Sequence, residues 1–168
     1  ITHYERSTGN VVTTKCDDAL CSSSATWEIL SAEDKGSYLS TTLGGLGIPT
    51  IAYYDATNGD LKWLVCTDSG CNTSSTDSTI DGAGSDVGQY VSLSISATDF
   101  GVMSYYDATN FDLKVTRCTK ANCSTLSTYT VDSVGAVGKY SSLTIGSDGF
   151  PVISYFDQTN ETLKVAHC

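Results

Sequence analysis

The segment Ile51-Ala52-Tyr53-Tyr54-Asp55-Ala56-Thr57-Asn58 decides the fold. It returns as Met103-Ser104-Tyr105-Tyr106-Asp107-Ala108-Thr109-Asn110 and again as Ile153-Ser154-Tyr155-Phe156-Asp157-Gln158-Thr159-Asn160. A weaker copy, Ile1-Thr2-His3-Tyr4-Glu5-Arg6-Ser7-Thr8, opens the sequence. Cysteines keep the same register, since Cys16, Cys66, Cys118 and Cys168 are separated by 50, 52 and 50 residues. Such self-similarity at a fixed period marks a repeat architecture.

Working outward, each copy is followed by a short strand-like run: Leu61 to Cys66, Leu113 to Cys118, Leu163 to Cys168, with Val11 to Cys16 in the first copy. Ahead of each full copy stands a Gly-x-Tyr start and an alternating stretch, Tyr90 to Ile95 and Tyr140 to Ile145, matched more loosely by Tyr38 to Leu43. A Thr-rich strand follows each cysteine pair, around Trp27 to Leu30, Thr79 to Asp81 and Tyr129 to Asp132. The unit therefore reads as four strands, a to d, with period-2 alternation and turn residues such as Asn58-Gly59 between b and c. A four-stranded antiparallel unit of about fifty residues in tandem is the signature of a β-propeller blade.

The expected fold is all-β: a single repeat domain over 1–168, made of a partial repeat 1–37 (b, c, d), full repeats 38–89 and 90–139, and a partial repeat 140–168 (a, b, c). That is about 3.3 disulfide-stapled blades, a remainder that disfavours closure of the ring within one chain.

Composition narrows the function classes. Acids outnumber bases 19 to 9, for a formal charge of −10 with no basic cluster, which opposes binding to nucleic acid or anionic membranes. No apolar run is long enough to span a bilayer. Seven cysteines in this length imply an oxidising, extracellular or cell-surface setting. Three N-x-S/T sequons, at Asn72, Asn122 and Asn160, fit covalent glycans in the same compartment.

The pattern of Tyr140 to Ile145, Phe150-Pro151-Val152-Ile153-Ser154-Tyr155-Phe156-Asp157 and Leu163 to Cys168 resembles a roughly fifty-residue β-propeller-type repeat of secreted and surface proteins of microbes. The resemblance covers nearly the whole chain and implies a fold, with no common chemistry attached.

Two disulfide schemes remain open. Local bridges Cys16–Cys21, Cys66–Cys71 and Cys118–Cys123 would clamp the c–d hairpins and leave Cys168 unpaired or intersubunit, and they suit hairpin closure better than bridges that cross units. The aromatic pairs Tyr53/Tyr54, Tyr105/Tyr106 and Tyr155/Phe156 are candidate glycan-stacking residues, weighed against packing between blades. Asp55, Asp107 and Asp157 recur near Lys62, Lys114 and Lys164, which reads as turn capping plus a surface ion pair; their spacing lacks the ligands of a calcium loop. No metal site, cofactor motif or catalytic constellation is legible, and no enzyme is expected. Sheets lacking a strand recruit strands from other chains, so the expected function is a glycosylated extracellular subunit that associates with copies of itself, head to tail, into a filament or appendage. A propeller-like glycan-binding module, or a piece of a longer repeat array, are the alternatives.

Overall fold

The computed structural model describes residues 1–30 and 35–168. Among them are fourteen strands and no helix: β1 (Thr2–Glu5), β2 (Asn10–Cys16), β3 (Ser24–Leu30), β4 (Lys35–Leu43), β5 (Pro49–Asp55), β6 (Asp60–Cys66), β7 (Ser74–Asp81), β8 (Val87–Ile95), β9 (Gly101–Asp107), β10 (Asp112–Cys118), β11 (Leu126–Asp132), β12 (Val137–Ile145), β13 (Pro151–Asp157) and β14 (Thr162–His167). They form four antiparallel sheets in chain order, β1-β2-β3, β4-β5-β6-β7, β8-β9-β10-β11 and β12-β13-β14. The first sheet has no strand a and the last no strand d, as the repeat count implies.

Strand a begins three residues earlier than the sequence placed it, at Lys35, Val87 and Val137 rather than at the tyrosine. The Gly-x-Tyr element is the reason. Gly88 (φ +106°) and Tyr90 (φ +54°), like Gly138 (φ +107°) and Tyr140 (φ +55°), form an irregular step inside the strand where its pairing slips. Two left-handed residues so close bend the strand while letting it continue. Glycine is required there sterically as well, since a Cβ on Gly88 would lie 2.8 Å from the Leu61 Cα of the preceding sheet.

The sheets stack face to face, each strand a lying beside the next. Three apolar clusters fill the spaces: Ile51, Tyr53 and Leu64 with Ile29 and Leu30; Leu61 and Trp63 with Leu93, Met103 and Tyr105; Leu113 and Val115 with Leu143, Ile153 and Tyr155. Among the described residues the substantial packing joins successive sheets, and none joins the first sheet to the last, so the blades do not close into a barrel or ring.

The bridges are local: Cys16–Cys21, Cys66–Cys71 and Cys118–Cys123, with Cα separations of 4.7 to 4.9 Å. Each second cysteine has φ between 52° and 58°, so the disulfide clasps a turn that an L-residue does not favour. Three disulfides are consistent with an extracellular setting. No helix among the described residues is long and apolar enough to cross a membrane.

Candidate functional site

Strand b ends in a buried carboxylate. Asp107 accepts from the N–H groups of Thr109 (3.0 Å) and Asn110 (2.9 Å) and from Asn110 Nδ2 (3.0 Å); Asp55 and Asp157 do the same in their copies. The turn-capping reading is thus realised, and the Asp–Lys pair is met at the outer edge of ion-pair range in the third and fourth sheets. Lys114 and Lys164 lie 3.9 and 3.7 Å from their hairpin aspartates, and they reach closer partners on the preceding sheet, Asp81 and Asp132. Those acids also accept the hydroxyls of Tyr105 (2.7 Å) and Tyr155 (2.8 Å), so one carboxylate pins a lysine and a tyrosine of the following blade. At the first junction Leu30 stands at this register position, and Tyr53 donates instead to Asp77 of its own sheet at 2.7 Å.

These contacts correct the glycan-stacking assignment. Tyr53, Tyr54, Tyr105, Tyr106 and Tyr155 are buried between neighbouring blades, whereas Phe156, paired with Leu163 on the outward face of the last sheet, is half-buried. Burial and the Asp86 carboxylate push the Tyr54 hydroxyl up to about 12, and burial with Asp132 does the same for Tyr155. The Gly-x-Tyr tyrosines are more accessible: Tyr38, Tyr90 and Tyr140 form a ladder with centroids 4.5 Å apart at each step, its two end rings exposed and Tyr90 half-buried between them.

Asn72 and Asn122 lie exposed on the disulfide hairpins. The exposed Asn160 spends its amide on the Asp157 cap at 2.9 Å. Cys168 is exposed and free. Among the described residues no group of three His, Cys, Asp or Glu side chains gathers at metal-binding range.

The outward face of the last sheet is a feature that residue-by-residue reading missed. Leu61 and Leu113 are fully buried by the following blade, and Trp63 and Val115 almost so. Their repeat counterparts Leu163 and Val165 are 76% and 63% exposed. Ser40 and Ser92 accept the N–H of Leu93 and Leu143 on the next blade at 3.0 and 2.9 Å, whereas Ser142, the next in the series, faces solvent. Tyr140, at the ladder's end, is 67% exposed. Comparing copies of the repeat after assigning faces would have found this signal.

No protein-family model matches the chain, and no curated protein matches it in sequence. Solved structures of similar fold include a protein of unknown function from Dyadobacter fermentans (13% identity, TM-score 0.58, 76% of this chain and 36% of that one). Others are a bifunctional GH43-CE protein from Bacteroides eggerthii (13%, 0.59, 93% and 20%) and the intramolecular trans-sialidase from Ruminococcus gnavus (18%, 0.65, 92% and 35%). The likeness is one of fold, and the chain spans only about a fifth to a third of those proteins.

Proposed function

We propose that this chain is a non-enzymatic extracellular structural subunit that associates with copies of itself, blade upon blade, into a filament or surface appendage. One observation carries the reading: the β12–β14 face repeats the apolar and hydrogen-bonding groups that bind the next blade at the two preceding junctions, and shows them to solvent. A second copy presenting a sheet of the same repeat continues an interface already built twice within the chain. Burying Leu163 and Val165 contributes about 1.5–3 kcal/mol each. The recurring carboxylates Asp55, Asp107 and Asp157 serve turns, and Asp81 and Asp132 serve blade junctions, which supports a structural role for them. Glycans at Asn72 and Asn122 would project from the hairpin tips.

Sedimentation velocity and negative-stain imaging over a concentration series test the proposal. The unmodified chain is expected to form extended oligomers, and Val165→Glu, placed at a solvent position of the monomer, to stay monomeric with an unchanged far-ultraviolet spectrum. A chain that remains monomeric at high concentration refutes the reading.

A further inference from the structure

Three tyrosines stand apart from the rest of the repeat. Tyr38, Tyr90 and Tyr140 have φ of 51°, 54° and 55°, a left-handed conformation that is strained for a bulky L-residue, and every copy of strand a carries tyrosine there. Packing alone does not ask for the hydroxyl. At the neighbouring aromatic position of strand b, Tyr54 and Tyr106 are replaced by Phe156 in the last copy, and Phe156 still meets Tyr140 with ring centroids 6.3 Å apart. The ladder position keeps its phenol each time.

The rings stand 4.5 Å apart, centroid to centroid, on both rungs, with interplanar angles of 50° for Tyr38 and Tyr90 and 57° for Tyr90 and Tyr140, at the close end of the range for aromatic contacts. Each rung joins two sheets, since Tyr38 lies on β4, Tyr90 on β8 and Tyr140 on β12. Burial, followed by the Tyr38 and Tyr140 hydroxyls beside it, pushes the Tyr90 hydroxyl well above its ordinary value, so the middle phenol is neutral at neutral pH and has a phenol on either side. Both end rings are exposed, and open grooves of about 660 Å³ and 420 Å³ run beside Tyr38 and Tyr140. Tyr129 is exposed too, but it has no ring against it among the described residues.

We infer that the ladder is a site of oxidative phenol coupling, at which a haem peroxidase using hydrogen peroxide joins Tyr90 to Tyr38 or to Tyr140 as dityrosine. Each of the two phenols gives up one electron and its hydroxyl proton, leaving a phenoxyl radical whose unpaired electron is shared with the ortho ring carbons. One ortho carbon of each ring forms the new carbon–carbon bond, and the hydrogens on those two carbons move to the oxygens, which restores both phenols. The two electrons and two protons released reduce one hydrogen peroxide to two waters. The oxidant meets an exposed end ring, and the half-buried Tyr90 is oxidised through its contact with that ring. The product ties the third sheet covalently to the second or the fourth, a link across a blade junction that the disulfides, each closed within one hairpin, do not supply. The Tyr38 rung lies at the far end of the ladder from the β12–β14 face, so coupling there does not depend on assembly.

The test treats the whole chain, dilute enough to stay monomeric, with a purified haem peroxidase and hydrogen peroxide. Dityrosine fluorescence is expected in a species that runs as a monomer on a denaturing gel and has lost two hydrogens by intact mass, and fragment-ion mapping of its digest should place the link between Tyr90 and Tyr38 or Tyr140. Tyr90→Phe, which keeps the ring, should lower the yield of this intrachain product at least tenfold with an unchanged far-ultraviolet spectrum. The double variant Tyr38→Phe/Tyr140→Phe should do the same, and Tyr129→Phe should leave the yield as it was. The inference is overturned if the monomer forms no intrachain dityrosine, if Tyr90→Phe couples as well as the parent, or if every mapped link lies outside the ladder. Because the product is read on monomeric chain, the result is independent of whether the chain assembles.

Discussion

At the residue scale the molecule rests on carboxylates taken out of water and fully supplied with donors. Asp107 is 3% exposed and holds the β9–β10 turn through both oxygens. Asp107→Asn keeps the shape but turns one acceptor into an amide facing the Asn110 amide, donor against donor. It is expected to cost about 1–3 kcal/mol in a urea unfolding curve. The tyrosines set the pH dependence. Tyr54 and Tyr155 titrate near 12 when folded, against about 10 in an unfolded chain. Raised folded values mean that their stabilisation is complete below pH 10 and is lost as pH climbs toward 12. On the acid side, burial works against the Asp132 carboxylate, but hydrogen bonds from Lys164, the Val134 N–H and Tyr155 outweigh it and hold the pKa below 3.8. That stabilisation is present above pH 4 and disappears as pH falls further. Thermal midpoints should therefore be level between about pH 5 and 9 and fall on both sides, with a smaller alkaline fall in Tyr155→Phe. The capping role of Asp107 was legible because cap and turn are neighbours in sequence. The lysine's nearer partner was not, because Asp81 lies 33 residues away on another sheet and only the stacking of blades brings it near.

At the element scale, alternation and turn chemistry make all four strand types of the blade visible in the sequence. What they conceal is the step inside strand a, since a left-handed tyrosine leaves no trace in a hydrophobic pattern. The step moves the strand's start forward by three residues and puts Tyr38, Tyr90 and Tyr140 on the accessible ladder while the tyrosines of strand b go inside. All five tyrosines named from sequence as stacking candidates are core residues, and only Phe156 among the six is half-buried. The c–d hairpins, clasped by disulfides over five-residue separations, close very short loops. Loop-closure entropy for so short a ring gives about 2 kcal/mol. Replacing Cys118 and Cys123 together by serine should lower stability by about that amount in guanidinium unfolding without separating the sheets. Trp63 and Gly101 are coupled in the same measurement, since a Cβ on Gly101 would lie 2.2 Å from the indole ring. Gly101→Ala pushes a methyl into the indole and should cost about 1–3 kcal/mol, and combining it with Trp63→Val should recover most of the loss.

At the scale of the whole molecule the blades form a short row, and a row has unequal members. The second and third sheets are packed on both faces, whereas the first and fourth are each packed on one among the described residues, so nearest-neighbour stabilisation is lowest at the two outer sheets. Opening free energies follow that order. Amide hydrogen exchange on a dilute sample should show its slowest sites in β5, β6, β9 and β10, and fast exchange in β14, which among the described residues pairs with β13 alone and whose Leu163 and Val165 are wet. If a second copy seats on that face, β14 gains what β10 already has, a blade across its side chains. Its amides should then slow as concentration rises, while those of β9 and β10 stay where they were. Val165→Glu should abolish the concentration dependence and leave the dilute pattern intact. Protection in β14 equal to that of β10 at every concentration would mean that its exposed apolar face costs the fold nothing, and the repeat's own logic would fail at its fourth sheet.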